Sequence, residues 1–221
     1  MAGHGAASSG GYVQTYVECD VRRELGVRKV REFTTFLQLC ALRTGQRLNI
    51  SSLASDCGIA TNTVREWLSV LETSGIIYLL EPFFSNRNKS LTKTPKLYFL
   101  DTGLAAYLMG IRSADELLLS EFRGALFETA IVAEVLKAGY ALGSKPELSY
   151  WRDAKKREID LVVRRGLKPV RAIEIKSSAT YKSRFFDMLR QVVPSELGLD
   201  EKDCYMLSRR ICATSSGVRG W

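Results

Sequence analysis

The feature that most constrains the fold of this 221-residue chain is a change of hydrophobic periodicity after Gly110. Before that glycine, apolar residues recur every three or four positions, which is typical of helices packed on one side. Beyond residue 147, apolar and polar residues alternate in short runs, which indicates strands. We therefore predict an α+β protein with two domains, one mainly helical and one built on a mixed sheet flanked by helices.

The helical half predicts a winged helix-turn-helix domain over residues 26–112. A helix is expected at 30–43, Ser51 and Ser52 are expected to cap a short helix that ends at Cys57, and Gly58 allows a tight turn. Thr61 is expected to cap a longer helix through Thr73. Strands at 76–84 and 96–100 enclose a polar loop that forms the wing. Residues 1–25 are predicted to be a disordered leader followed by a linker helix from residue 12.

Two groups of residues are predicted to contact duplex DNA. The longer helix turns Asn62, Thr63 and Arg65 outward, whereas the cations lie in loops: Arg87, Lys89, Lys93 and Lys96 in the wing, and Lys155, Lys156 and Arg157 before an acidic strand. With 32 basic and 24 acidic residues, the net charge is +8, which suits phosphate contacts with weak sequence preference and a steep salt dependence. A basic loop is also typical of a solvated turn, and many winged domains contact only protein, so DNA binding stays open.

Acidic and basic side chains interrupt two strands of the second half. In Arg-Glu-Ile-Asp-Leu-Val-Val, the period-two rule puts Asp160 on the face opposite the aliphatic residues. In Val-Arg-Ala-Ile-Glu-Ile-Lys, the same rule puts Glu174 and Lys176 on one face. If these strands are neighbours, as we predict for 158–163 and 170–176, Asp160 and Glu174 face one another.

Two carboxylates held this close repel, so a divalent cation is a natural partner. Mg²⁺ prefers hard oxygen ligands and retains several waters. A metal and a lysine are sufficient for phosphodiester hydrolysis without histidine, and the one histidine of this chain, His4, lies in the leader. The alternative is a salt bridge at a sheet edge between Lys176 and one of the two acids.

Together with a helix glutamate, Glu128, this order of residues resembles the PD-(D/E)xK nuclease superfamily, although the proline of that name is not matched. The resemblance implies a nuclease-like fold for residues 113–221. It further implies that Asp160, Glu174 and the carbonyl of Ile175 bind Mg²⁺. Glu128 would act directly or through water, and Lys176 would assist the attacking water.

Longer stretches, among them YVECDVRRELGV, KTPKLYFLDTGLAAYLMG and GALFETAIVAEVLK, resemble the C-terminal uncharacterised region of prokaryotic AAA+ ATPases. Those proteins carry a P-loop domain first. No Gly-x4-Gly-Lys-Ser/Thr motif occurs here, so we expect no ATP binding by this chain. The partner that the resemblance implies is its own missing ATPase domain, or a separate ATPase.

Three functional hypotheses remain open at this point. The chain is a Mg²⁺-dependent DNA endonuclease, a non-catalytic module that binds nucleic acid or protein and regulates the ATPase, or a purely structural unit. Five widely spaced cysteines without a Cys-x-x-Cys pair predict free thiols and a cytoplasmic protein. The apolar runs are far shorter than the roughly 20 residues of a membrane-spanning helix, so no membrane partner is expected.

Overall fold

The computed structural model describes residues 30–84, 94–178, 185–208, 211–214 and 217–220. Within them the chain is a mixed α+β protein with helices and two sheets. The predicted leader and linker helix lie outside the described residues, as does most of the predicted wing loop. No helix in the described ranges is long and apolar enough to cross a membrane.

The described residues form two compact units, and each unit takes two segments of the chain. The first unit contains residues 30–79 and 96–130, and the second contains 80–84, 94–95 and the described residues from 131 onward. The sequence predicts one boundary near residue 112. In the structure, residues 80–84 and 94–95 belong to the second unit, although the chain before and after them belongs to the first.

Five helices, the start of a sixth and a small sheet make up the first unit. The helices are α1 Val30–Ala41, α2 Ile50–Cys57, α3 Thr61–Thr73, α4 Thr102–Leu108, α5 Ala114–Leu119, and the first part of α6 Arg123–Ala141. The strands are β1 Gln46–Arg47, β2 Ile77–Leu80 and β3 Lys96–Phe99, in the order β1–β3–β2. The last residue of β2 is counted with the second unit.

Two predicted helix caps are wrong in detail. Helix α2 is capped by Asn49, whose side chain accepts a hydrogen bond from the amide of Ser52 at 3.0 Å. Helix α3 begins at Thr61, and Ala60 precedes it without a side-chain cap. Helix α2 therefore starts two residues earlier than a cap at Ser51 predicts, and α3 starts one residue earlier than a cap at Thr61 predicts. Gly58 ends α2 as predicted, with a φ of 67° that favours glycine.

Aromatic side chains fill the core of the first unit. The ring of Trp67 meets Phe33 and Phe36 edge-on, with centroids 5.0 and 5.3 Å apart. These contacts join α3 to α1 through the apolar stripe that the helical periodicity predicts. A buried hydrogen bond of 2.9 Å between the hydroxyls of Thr44 and Thr129 lies in the same unit.

The second unit is built on a six-stranded sheet. Its strands are β4 Glu147–Arg152, β5 Glu158–Arg165, β6 Lys168–Lys176, β7 Cys204–Ser208, β8 Ile211–Thr214 and β9 Gly217–Gly220, in that spatial order. Only β6 and β7 are parallel. The prediction that 158–163 and 170–176 are neighbours is confirmed by the β5–β6 pairing.

Helices accompany this sheet. The second part of α6 belongs to this unit, and α7 Phe185–Val192 continues into a short π-helical turn, Val193–Leu197, and a 3-10 turn, Glu201–Asp203. Leu189 and Val193 belong to the same buried cluster as Val162, Ala172 and Met206 of the sheet. Helix α7 thus covers one face of β5, β6 and β7.

The sequence predicts a helix over residues 121–138 that Gly139 ends. Helix α6 instead begins at Arg123 and continues past the glycine to Ala141. A Cβ atom at position 139 would lie 2.5 Å from Cδ of Pro146. The glycine therefore allows the close approach of Pro146, and the prediction that it terminates the helix is wrong.

Candidate functional site

The candidate site lies where β5 and β6 stop pairing. The β5–β6 ladder ends with Leu161 opposite Ile173. One step beyond, Asp160 follows on β5 and Glu174 on β6, so continuation of the register sets the two acids opposite each other. The Oδ2 atom of Asp160 accepts a hydrogen bond of 2.8 Å from the amide of Ile175. The Asp160 carboxylate therefore lies beside the backbone between Glu174 and Lys176.

Glu174 is a buried acid, with 6% of its surface exposed. Its Oε1 atom forms an ion pair with Nζ of Lys176, which is one-third exposed. On the neighbouring strand β7, Met206 lies opposite Glu174 and Ser208 lies opposite Lys176. A charged carboxylate is costly in such a place without a compensating charge. Lys176 supplies one, and this is the Glu174–Lys176 pair of the alternative to a metal site, although β6 lies inside the sheet and not at its edge.

The donor set suits a hard divalent cation. A carboxylate has two oxygens and about four acceptor positions, so the same carboxylate can accept a hydrogen bond and bind a cation. Mg²⁺ is commonly held by one or two carboxylates, with waters completing its shell. In the described ranges no three residues of the types His, Cys, Asp and Glu cluster as a metal site. Further ligands would therefore be backbone oxygen, water or substrate.

Glu128, the fourth predicted residue, lies on the part of α6 that belongs to the first unit. Its Oε1 atom accepts a hydrogen bond of 2.5 Å from the hydroxyl of Tyr98 and one of 3.0 Å from Nζ of Lys96. Lys96 is buried, so its assignment to the exposed cations of the wing is wrong. Asp160, Glu174 and Lys176 all belong to the second unit.

The β4–β5 turn carries the second predicted group of cations. Lys155 and Lys156 are exposed, whereas Arg157 is held by Asp153, which accepts from its backbone amide at 2.8 Å and from Nε at 2.7 Å. Desolvation raises the pKa of Asp153, but the hydrogen bonds and charge of Arg157 outweigh it, and the pKa falls below its usual value. Arg157 thus shapes this turn.

The predicted recognition residues lie at the start of α3. Asn62 and Arg65 are exposed and Thr63 is half-buried, while Val64 and Trp67 of the same helix face the core. The outward side of the helix is therefore polar, as predicted. Arg87, Lys89 and Lys93 lie outside the described residues.

The sequence prediction missed the cations around the turn between β5 and β6, at Arg164, Arg165 and Lys168. The signal was available: Arg-Arg-Gly-Leu-Lys contains a glycine between two β-type runs, which is typical of a tight hairpin. Cysteines behave as predicted where they are described, since Cys40, Cys57 and Cys204 are buried free thiols.

Two domain families match this chain. Residues 6–115 match a domain of unknown function (DUF8612), and residues 123–211 match a second domain of unknown function (DUF4143). The latter is commonly found in C-terminal regions associated with AAA ATPases. The chain is thus an α+β protein whose residues 123–211 resemble a domain of unknown function.

The curated relatives that the chain resembles are mycobacterial. An uncharacterized protein of Mycobacterium tuberculosis (Rv2008c) and one of Mycobacterium bovis (Mb2031c) are each 32% identical to it over 179 residues. That alignment covers 79% of this chain and 38% of each relative's length. No solved structure matches the chain.

Proposed function

We propose that this chain is the DNA-associated C-terminal module of an AAA+ ATPase-family protein. In this proposal the second unit is a PD-(D/E)xK nuclease-like domain that hydrolyses phosphodiester bonds with Mg²⁺. The observation that carries the proposal is the hydrogen bond from the Ile175 amide to Asp160. It brings an acid of β5 to the backbone between Glu174 and Lys176.

Each residue of this set has a role in the proposal. Asp160, Glu174 and the carbonyl of Ile175 would hold the cation. When bound, the ion supplies positive charge at the scissile phosphate and lowers the pKa of water. Lys176, which is one-third exposed, orients the attacking water and stabilises negative charge on the phosphate. The same family resemblance also implies that Glu128 is the fourth residue of the catalytic site.

In the same proposal the first unit is a winged helix-turn-helix that holds duplex DNA. Support comes from the succession α1, β1, α2, α3, β2 and β3 and from the exposed side chains of Asn62 and Arg65 on α3. Few of these side chains suit base recognition, so binding through phosphates with weak sequence preference is expected.

The ATPase enters through the DUF4143 match, because that domain occurs in AAA-ATPase-associated regions. The chain spans 38% of the length of its curated relatives, which is compatible with a further domain in those proteins. We propose that the ATPase, covalently attached or separate, is the partner. ATP binding is not expected of this chain itself because it lacks a P-loop.

Substitution of Asp160 tests the metal site against a structural role. Asp160→Asn keeps an oxygen that can accept the Ile175 amide but removes the charge that a cation requires. We expect Mg²⁺ or Mn²⁺ to raise the melting temperature of the parent and to leave that of Asp160→Asn unchanged. Cleavage of duplex DNA in Mg²⁺ by the whole chain is measured in parallel and should disappear in the variant.

The outcomes separate the two roles. Asp160→Ala loses both the charge and the acceptor, so its melting temperature without metal should be lower than that of Asp160→Asn, because the Ile175 amide loses its partner. If neither divalent ion changes the melting temperature of the parent, the metal site is rejected. Asp160 is then a structural residue that extends the hydrogen bonding between β5 and β6.

The second candidate function is a non-catalytic nucleic-acid- or protein-binding module that regulates the ATPase. One observation favours it: Glu128 is engaged by Lys96 and Tyr98 within the first unit, so one of the four residues that the nuclease family uses has another role here. This candidate predicts nucleic-acid or protein binding without metal-dependent cleavage. A stabilising metal effect that is lost in Asp160→Asn would argue against it.

A further inference from the structure

The turn between β5 and β6 holds like charges against one another. Gly166 and Leu167 form a two-residue turn, in which Gly166 has a φ of 61°. The residues on either side, Arg165 and Lys168, are directly paired across the ladder, and both are exposed. Like charges opposite each other on a sheet are destabilising. The arrangement is therefore unfavourable for the protein alone.

A third cation lies on the same face. Arg171 is opposite Val163, and Val163 shares a face of β5 with Arg165 by the period-two rule. The Arg171 guanidinium lies 5.8 Å from the centre of the Tyr205 ring on β7. This contact helps to orient the Arg171 side chain. Across the described residues, no acidic side chain forms an ion pair with Arg165, Lys168 or Arg171.

Arg164 stiffens the turn. Its Nη1 atom donates a hydrogen bond of 3.2 Å to the carbonyl of Gly166. Its Nε atom is buried and has no hydrogen-bond acceptor in the part of the chain that the structure describes. A buried donor without an acceptor is uncommon in folded proteins and invites a ligand oxygen.

We propose that the segment Arg164–Arg171, which we name the basic hairpin, binds the phosphate backbone of duplex DNA. Arg165, Lys168 and Arg171 contact phosphates, and Arg164 positions the turn. This proposal rests on the proposed function, in which the same sheet acts on DNA. It adds residues that differ from those of α3, of the predicted wing and of the β4–β5 turn.

Duplex DNA is favoured because its charge density matches the cluster. A duplex carries one negative charge per about 1.7 Å of its axis, so several cations can be satisfied at once. Anionic membranes are typically recognised by clusters of 4–8 basic residues beside a membrane-spanning helix or on an amphipathic helix, whereas these cations lie on a β-hairpin, and Leu167 offers only one exposed apolar side chain at the tip.

The basic hairpin is separated from the candidate site. Arg165 is five residues beyond Asp160 on β5, about 17 Å along the strand, and by the period-two rule the two side chains lie on opposite faces of the sheet. The hairpin therefore adds phosphate contacts that are distinct from the acidic pair.

Duplex binding by the whole chain, measured by fluorescence anisotropy in EDTA over a range of salt concentrations, tests this proposal. The test variant is Arg165→Gln/Lys168→Gln. The matched control is Lys137→Gln/Lys202→Gln, which removes the same charge from two exposed lysines that are paired with Glu134 at 2.9 Å and Asp200 at 3.0 Å. We expect the test variant to bind about 10-fold more weakly, with a salt slope smaller by about 2. The control should bind like the parent.

Each other result overturns the proposal. Equal binding by parent and test variant rejects the basic hairpin alone, and an equal loss in the control assigns the effect to net charge. A test variant that loses binding to phosphatidylserine vesicles but not to DNA identifies a membrane surface instead. A parent that binds no duplex rejects both this proposal and the DNA part of the proposed function. Hairpin-dependent binding without any metal response rejects only the catalytic part.

Discussion

At the scale of single residues, the β4–β5 turn depends on one carboxylate. Asp153 receives two hydrogen bonds from Arg157, one from its backbone and one from its side chain. The turn residue Lys156 has a φ of 67°, a conformation that costs energy for a side chain other than glycine. The Asp153–Arg157 contacts therefore help to hold a strained turn that presents Lys155 and Lys156.

Asp153→Asn should weaken the fold in a pH-dependent way. The lowered pKa of Asp153 means that its charged form stabilises the folded state above about pH 4, and that this contribution disappears as the pH falls through the folded-state pKa. We expect the variant to be less stable than the parent by about 1 kcal/mol at pH 7, and the difference to shrink near pH 3. Urea denaturation of both proteins at the two pH values measures it, and an equal difference at both would contradict this explanation.

At the scale of secondary-structure elements, helix α6 is notable for a glycine in its last turns. Alanine is a better helix former than glycine by about 1 kcal/mol, so Gly139→Ala would stabilise an isolated helix. Here the new Cβ would lie 2.5 Å from Pro146. The contact with Pro146 therefore decides the sign of the effect.

We expect Gly139→Ala to lower the free energy of unfolding by about 1–3 kcal/mol, the range typical of an overpacked site. Replacing Pro146 as well, in Gly139→Ala/Pro146→Ala, removes the ring and should recover most of the loss. Chemical denaturation of the parent, the single variant and the double variant provides the comparison. A stabilising single substitution would mean that the approach of Pro146 is not a constraint.

The sequence predicts these elements well where one local rule dominates. Alternation places Asp160 and Glu174 on neighbouring strands, and Gly58 ends its helix because the left-handed conformation favours glycine. The rules fail where a distant partner decides. Gly139 stays within α6 because of Pro146, and Lys96 is buried because Glu128 and Tyr98 bind it. Neither partner can be inferred from the residues around these positions.

At the scale of the whole molecule, each compact unit has a core of its own. Leu71 belongs to the buried cluster of the first unit and Leu189 to that of the second, and both side chains are fully buried. The sequence could not predict that residues 80–84 and 94–95 belong to the second unit. This depends on contacts with Tyr150, which is distant from them along the chain.

We expect the two cores to respond separately to damage. Leu71→Ala and Leu189→Ala each remove a fully buried side chain, which typically costs 2–5 kcal/mol. Hydrogen–deuterium exchange read by mass spectrometry should show faster exchange mainly in residues 30–79 and 96–130 for the first variant, and mainly beyond residue 131 for the second. Uniform acceleration throughout the chain in both variants would mean that the molecule unfolds as one cooperative unit.

The pairing of residues 81–83 and 94 with Tyr150 has a consequence for synthesis on the ribosome. Glu81 and Phe83 form backbone hydrogen bonds with Tyr150, and the Tyr150 hydroxyl donates to the carbonyl of Thr94 at 2.5 Å. Tyr150 is translated more than fifty residues after this segment, a delay of about 3–11 s at 5–20 residues per second. Throughout that interval Phe83 has no β4 strand to bind. The hydrogen bonds of Phe83 and Thr94 with Tyr150 therefore cannot form until β4 has been synthesised.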